Sequence, residues 1–153
     1  MGDMMPPVTE AWSQMELPPT YTANVTFIIK NYREMTEMCV HGQELKSKPF
    51  FLKGKTFQLG ILPAGHSGQH WNDHTRWVFL HNLSTTKVRV KAELNVGGVN
   101  TDGSYMTIEP RGFTQKGVDL QKMKLTEEGS LEIKGTVTLA DAGQAVAVGR
   151  DGT

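Results

Sequence analysis

A single cysteine, Cys39, stands among the 153 residues, so no disulfide can form within the chain. That scarcity fits a reducing compartment. An excess of either charge is equally missing. Sixteen Lys/Arg balance sixteen Asp/Glu, and the formal net charge is zero. A general binder of nucleic acid or of anionic membrane needs surplus positive charge, and this composition argues against both classes, though not against a local basic patch. No apolar run approaches the ~20 residues that span a bilayer. The N-terminal stretch MGDMMPPVTEAWSQMELPPTY lacks the basic and then apolar regions of a secretory signal. Gly2 follows Met1, but Pro6 stands where a myristoylation signal needs Ser or Thr. These absences predict an intracellular protein of nucleus or cytoplasm. The sequons Asn24-Val25-Thr26 and Asn82-Leu83-Ser84 are then expected to stay unmodified.

Catalytic signatures are missing as well. There is no CxxC, HExxH or GxSxG motif. Gly54-Lys55-Thr56 has the ending of a phosphate-binding loop, but Pro49 occupies the place of its first glycine and the context is strand–turn–strand. Cys39 has His41 two residues away but no third group to orient a base, which predicts a structural thiol. Carboxylates are scattered singly or paired in turns, as at Glu127-Glu128, and read as solvated charges. The one cluster with ligand chemistry is GHSGQHWNDHTRW, residues 65–77, which sets His66, His70 and His74 four apart beside Asp73. That spacing puts imidazoles on one face only in a helix. Ser67, Gly68, Asn72 and Asp73 disfavour one, so a loop is expected and neither metal nor cofactor is assigned. A metal-dependent binder or hydrolase using these three histidines is the alternative reading.

What the chain does carry is apolar alternation with period two. Val25, Phe27 and Ile29 share one face, as do Phe57, Leu59 and Ile61. Val88, Val90, Ala92, Leu94 and Val96 form an unbroken set. Leu131, Ile133, Val137 and Leu139 form another, with Gly135 in the missing place. Such runs mark half-buried antiparallel strands. Turn chemistry separates them in HGQE, LKGK, PAGHSG, NVGGVNTDGS, EPRG and TEEGS. No segment supports a helix of three turns, and YREMTEMC from Tyr32 is the best short candidate. The expectation is an all-β, antiparallel β-sandwich of about seven to eight strands, with an open barrel second. Residues 1–19 hold four of the seven prolines and read as a flexible leader. Residues 20–140 read as the sandwich, and 141–153, small and Gly-rich, as a linker or tail.

Five segments in order resemble a known family. TFIIKNY (26–32), ELKSKPF (44–50), KTFQLGILPAG (55–65), RWVFLHNL with KVRVKAEL (76–83 and 87–94) and SLEIKGTVTL (130–139) are similar to strands of the MATH domain, the meprin and TRAF homology fold. The pattern is most like that of the MATH–BTB adaptors, and it spans about residues 20–140.

The resemblance implies a non-enzymatic module. A shallow groove on the sandwich would hold an extended segment of a substrate or partner protein. A BTB domain, whose pattern is absent from these residues, would then recruit a cullin-3 ubiquitin ligase. Carried over residue by residue, Trp77 takes the place of a groove tyrosine and Ala92 that of a groove phenylalanine. Arg111-Gly112-Phe113 takes the place of a Trp-Gly-Phe segment, and Tyr105 that of a tyrosine upstream of it. The losses at Ala92 and Arg111 imply a preference different from the family's Ser/Thr-rich motif. Read alone, Trp77 alternates with Val78, so one of the two faces the core; Ala92 is in register with Val90 and Leu94, as a core residue would be. Arg111 suits either a solvated turn or an acidic or phosphorylated ligand residue.

Overall fold

Alternation along the strands, together with six short turns, folds the chain into two packed antiparallel sheets. A computed structural model describes residues 20–65 and 74–140. The leader expected over 1–19, the tail expected over 141–153, and His66 and His70 lie outside the described residues. The strands are β1 (Thr20–Ile29), β2 (Leu45–Lys46), β3 (Phe50–Leu52), β4 (Lys55–Ile61) and β5 (Thr75–Asn82). They continue as β6 (Val88–Val96), β7 (Val99–Asn100), β8 (Met106–Ile108), β9 (Phe113–Asp119) and β10 (Leu131–Ala140). One sheet has the order β1-β10-β6-β7, with β8 also on β6. The other has the order β2-β4-β5-β9, with β3 also on β4. The fold is an all-β sandwich.

Among the described residues ten strands form where about seven to eight were expected, because two edge lanes are each cut in two. Lys46 pairs with Gly60 and Phe50 with Phe57, so residues 47–49 face only residues 58–59. The extra residue is accommodated at Ser47, whose hydroxyl accepts the Leu59 amide at 3.0 Å while its own amide donates to the Leu59 carbonyl at 2.8 Å. On the other sheet Asn100 pairs with Asn95 and Met106 with Val90, so residues 101–105 face residues 91–94. Each cut is a one-residue bulge. Counting β2/β3 and β7/β8 as one lane each leaves eight lanes, four per sheet.

Both tight hairpins use the turn that sheet twist favours. Lys53-Gly54 and Gly97-Gly98 each have two positive φ values, 49° and 76°, then 56° and 89°. That is the signature of a type I′ turn.

The core lies between the sheets. β4 contributes Phe57, Leu59 and Ile61; β5 contributes Val78 and Leu80; β6 contributes Val88, Val90, Ala92, Leu94 and Val96. β10 adds Leu131, Ile133, Val137 and Leu139. A short helix, α1 (Tyr32–Met38), is seven residues long and buries Tyr32. Thr36 Oγ1 lies near the Tyr32 phenol but donates to the Tyr32 carbonyl at 2.8 Å, which leaves the buried hydroxyl without a partner. Burial pushes this phenol above its ordinary value of 10.0, against smaller opposing effects of Thr36 and Arg76. Above that pH the unfolded chain releases a proton that the native state keeps, so stability falls as pH rises. Chemical denaturation between pH 9 and 11 is expected to show that fall, and Tyr32→Phe is expected to flatten it.

Candidate functional site

Strand β5 is apolar on both faces, and its second face defines the site. Val78 and Leu80 are 2 % exposed in the core, so Trp77, Phe79 and His81 point to the outer face of the sheet. In register across β5 and β9, Trp77 sits opposite Gly117, Phe79 opposite Gln115 and His81 opposite Phe113. On the other side Phe79 faces Gly60 and His81 faces Gln58. Phe79 is 7 % exposed although it lies outside the core cluster. Its neighbours on the surface cover it. Phe113 meets it edge-on with ring centres 5.3 Å apart, and His81 stacks on it at 5.8 Å. His81 and Phe113 are also 5.8 Å apart. Packed aromatic pairs of this kind add ~0.5–1.5 kcal/mol each beyond area burial.

Two glycines make room for these rings. A Cβ on Gly117 would lie 3.3–3.4 Å from the Trp77 indole, so the ring rests against bare backbone there. A Cβ on Gly60 would run into the Glu44 carboxylate, which reaches over that position to His81. His81 Nε2 and Glu44 Oε2 are 2.5 Å apart, with side chains 16 % and 18 % exposed. The result is an aromatic trough, Trp77–Phe79–Phe113, bordered by one hydrogen-bonded His–Glu pair. Phe113 is 55 % exposed and forms its raised wall.

The wall is set by a turn that Asn82 anchors. Gly112 donates to the Glu109 carbonyl at 2.9 Å, with Pro110 and Arg111 between them. Arg111 occupies the third position of this turn with φ of 63°, where a type II turn favours glycine. Fully buried Asn82 directs its side-chain amide at the carbonyls of Thr86, Ile108 and Glu109, at 2.9, 3.2 and 3.2 Å. Its Oδ1 accepts the Ser84 amide at 2.9 Å, and its backbone amide donates to the Gly112 carbonyl at 2.8 Å. This one residue ties the end of β5 to the turn that presents Phe113.

Of the six residues singled out in the sequence, the structure puts Trp77 and Phe113 on one face of the β5-β9 pair but four register positions apart, with Gly112 and the exposed Arg111 adjoining Phe113 in the turn. Ala92 is 8 % exposed within the core cluster, between Val90 and Leu94, and so offers no wall to a groove. Tyr105 lies just before β8, against β6 of the opposite sheet. Its ring lies beneath Lys91 Nζ at 5.3 Å and Arg89 Cζ at 5.7 Å. Phe79, His81 and Glu44 were not anticipated. Four consecutive apolar residues, Trp77 to Leu80, were the available signal, because a sheet with one packed face should not need both. Of the three clustered histidines only His74 is described, and its Nδ1 lies 3.4 Å from Gln121 Nε2.

The chain matches no protein-family model, and no curated protein is significantly similar to it.

Proposed function

We propose that this chain is a non-enzymatic peptide-binding module of the MATH type. It holds an extended segment of a partner protein against the outer face of the β4-β5-β9 sheet. The observation that carries the reading is the trough itself: Trp77 and the half-exposed Phe113 on the outer face of adjacent strands, with the covered Phe79 packed beneath Phe113. Large aromatics clustered on a rigid sheet are the anchors that dominate affinity at protein interfaces. Glu44, His81 and Gln115 beside them supply polar groups that orient a ligand. An extended segment fits because alternate side chains can enter the trough while its backbone stays solvated or pairs with a strand. Five MATH-like segments in order support the family assignment. So does the two-layer sandwich of eight lanes.

In the adaptor class that the pattern resembles, the module selects a substrate and a BTB domain engages cullin-3. The role proposed is substrate recognition in a ubiquitin-ligase pathway, in nucleus or cytoplasm, with neither nucleic acid nor membrane as partner. Zero net charge supports this, and among the described residues no helix is long and apolar enough to cross a membrane.

Phe113→Ala and Trp77→Ala are expected to weaken capture of peptides from a proteome-derived display library by at least about tenfold each, as removal of an interface anchor does. Phe113 is half-exposed, so Phe113→Ala gives up chiefly its ring contacts with Phe79 and His81, and the variant should stay folded at the temperature of the binding assay, as its Tm will show. Capture undiminished in both variants would overturn the assignment of this face.

A further inference from the structure

We propose that the outer edge of β1 is a second docking site, which accepts an acidic, extended segment of a partner protein as an added strand. Among the described residues the sandwich has four edge lanes, and three of them are defended. The β2/β3 lane is interrupted at Ser47–Pro49 and the β7/β8 lane over 101–105. On β9, Lys116 alternates onto the inward side, where its Nζ donates to the Asp102 carbonyl at 2.6 Å. Bulges, proline and inward charges are the devices that stop an edge from pairing.

β1 has none of them. It runs for ten residues, TYTANVTFII, without a charge, a proline or a glycine, and among the described residues its one sheet neighbour is β10. Its residues alternate outward and inward with no break, from Thr20 to Ile29. A strand of this length and regularity offers a row of backbone groups ready for a partner.

The space beside it is shaped for that strand. A cleft of about 510 Å³ separates β1 from the interrupted β2/β3 lane of the facing sheet. Val25, Phe27, Phe50 and Leu59 give it apolar walls. Its rim carries two exposed lysines, Lys46 and Lys48, and no carboxylate lines it. Alternate apolar side chains of an incoming segment would enter the cleft, and its acidic residues would meet the lysines. A second copy of this chain suits the site less well, because β1 brings no negative charge to face those lysines. This edge is separate from the aromatic trough, so the proposal stands whether or not the trough binds peptide.

The test uses a synthetic peptide of about eight alternating Glu and Val residues, the length of an ordinary strand. A Lys/Val peptide of the same pattern serves as control. Amide NMR shifts of the ¹⁵N-labelled full chain are followed during titration. The expected result is saturable shifts along Tyr21–Ile29 with the acidic peptide alone, weakened by added salt. The double substitution Lys46→Glu, Lys48→Glu should weaken binding about tenfold. Both residues are exposed, so its Tm should match that of the parent. Phe113→Ala should leave this binding unchanged. Equal binding of the basic peptide, shifts confined to the Trp77–Phe113 trough, or no shift in β1 would each overturn the proposal. So would a sedimenting dimer whose β1 amides the peptide cannot reach.

Discussion

Gly135→Ala is expected to cost at least about 3 kcal/mol of folding stability, the upper range for overpacking a core position. A Cβ at this position would run into the Glu93 carbonyl oxygen and lie 2.9 Å from the Leu94 Cα and 3.0 Å from the Glu93 carbonyl carbon. All three atoms are backbone of β6. A side chain in the way could change rotamer, but a strand can only move bodily. β10 and β6 are neighbours inside their sheet, and together they carry nine residues of the core cluster: five on β6 and four on β10. Separating them therefore loosens packing along the whole sheet, in an interior that tolerates little displacement. Gly98→Ala is the matched control. Gly98 has φ of 89° and open space where its Cβ would go. It should cost only the ~1–2 kcal/mol of placing an L side chain in a left-handed conformation. Urea denaturation of both variants measures the difference. Equal losses would mean that no close approach of β10 to β6 exists at Gly135.

The contrast between these two glycines shows where the sequence is readable. Gly98 lies in NVGGVN, and a Gly-Gly pair between alternating apolar runs states its turn type outright. Gly135 sits in phase with Leu131, Ile133, Val137 and Leu139, where it reads as a core position with its side chain missing. Its actual reason is a neighbouring backbone more than forty residues earlier in the chain, which no local pattern reveals. The sandwich itself was legible because each buried strand obeys period two. The strand count was not, since a bulge needs the register of two strands and each pattern shows only one.

The site follows the same division. Phe113 was reached through the family resemblance, as the last residue of Arg111-Gly112-Phe113. Trp77 was recognised, but its face was left open, because Trp77-Val78-Phe79-Leu80 is apolar in both phases. Only the pairing of β5 with β4 and β9 decides it, by placing Gly60 and Gly117 beneath the outward rings. Ala92 was in phase with the core throughout, and the family position it was matched to carried less information than its own register. Glu44 reaches His81 across Gly60 from a residue 37 positions away, a contact that sequence spacing does not encode.

Asn82→Ala is expected to cost at least about 3 kcal/mol, because several polar partners lose their hydrogen bonds at once and each buried one left unsatisfied costs about 1–3 kcal/mol. Asn82 is 0 % exposed, and its amide has two hydrogens shared among three carbonyls. Removing it strands the buried Ile108 carbonyl, takes the donor from the part-buried carbonyls of Thr86 and Glu109, and frees the Ser84 amide from its acceptor as well. Asn82→Asp separates the two halves of this network. The acceptor for Ser84 is kept, but a carboxylate would face three carbonyl oxygens, which only its protonated form can satisfy. Burial and those dipoles raise the folded-state pKa of the introduced acid above the ordinary carboxylate range. The native state then holds a proton that the unfolded chain has released, so stability falls as pH rises from acid to neutral. Urea melts at pH 4.5 and 7.5 should show Asn82→Asp losing more stability than Asn82→Ala at the higher pH and recovering part of it at the lower. A pH-independent deficit equal to that of Asn82→Ala would show that the amide hydrogens do not hold the turn. A second readout links this residue to the trough. The Glu109 carbonyl closes the turn that presents Phe113, and Asn82 is its side-chain partner. Peptide affinity per folded molecule should therefore drop in Asn82→Ala, whereas Gly135→Ala should lower only the fraction folded.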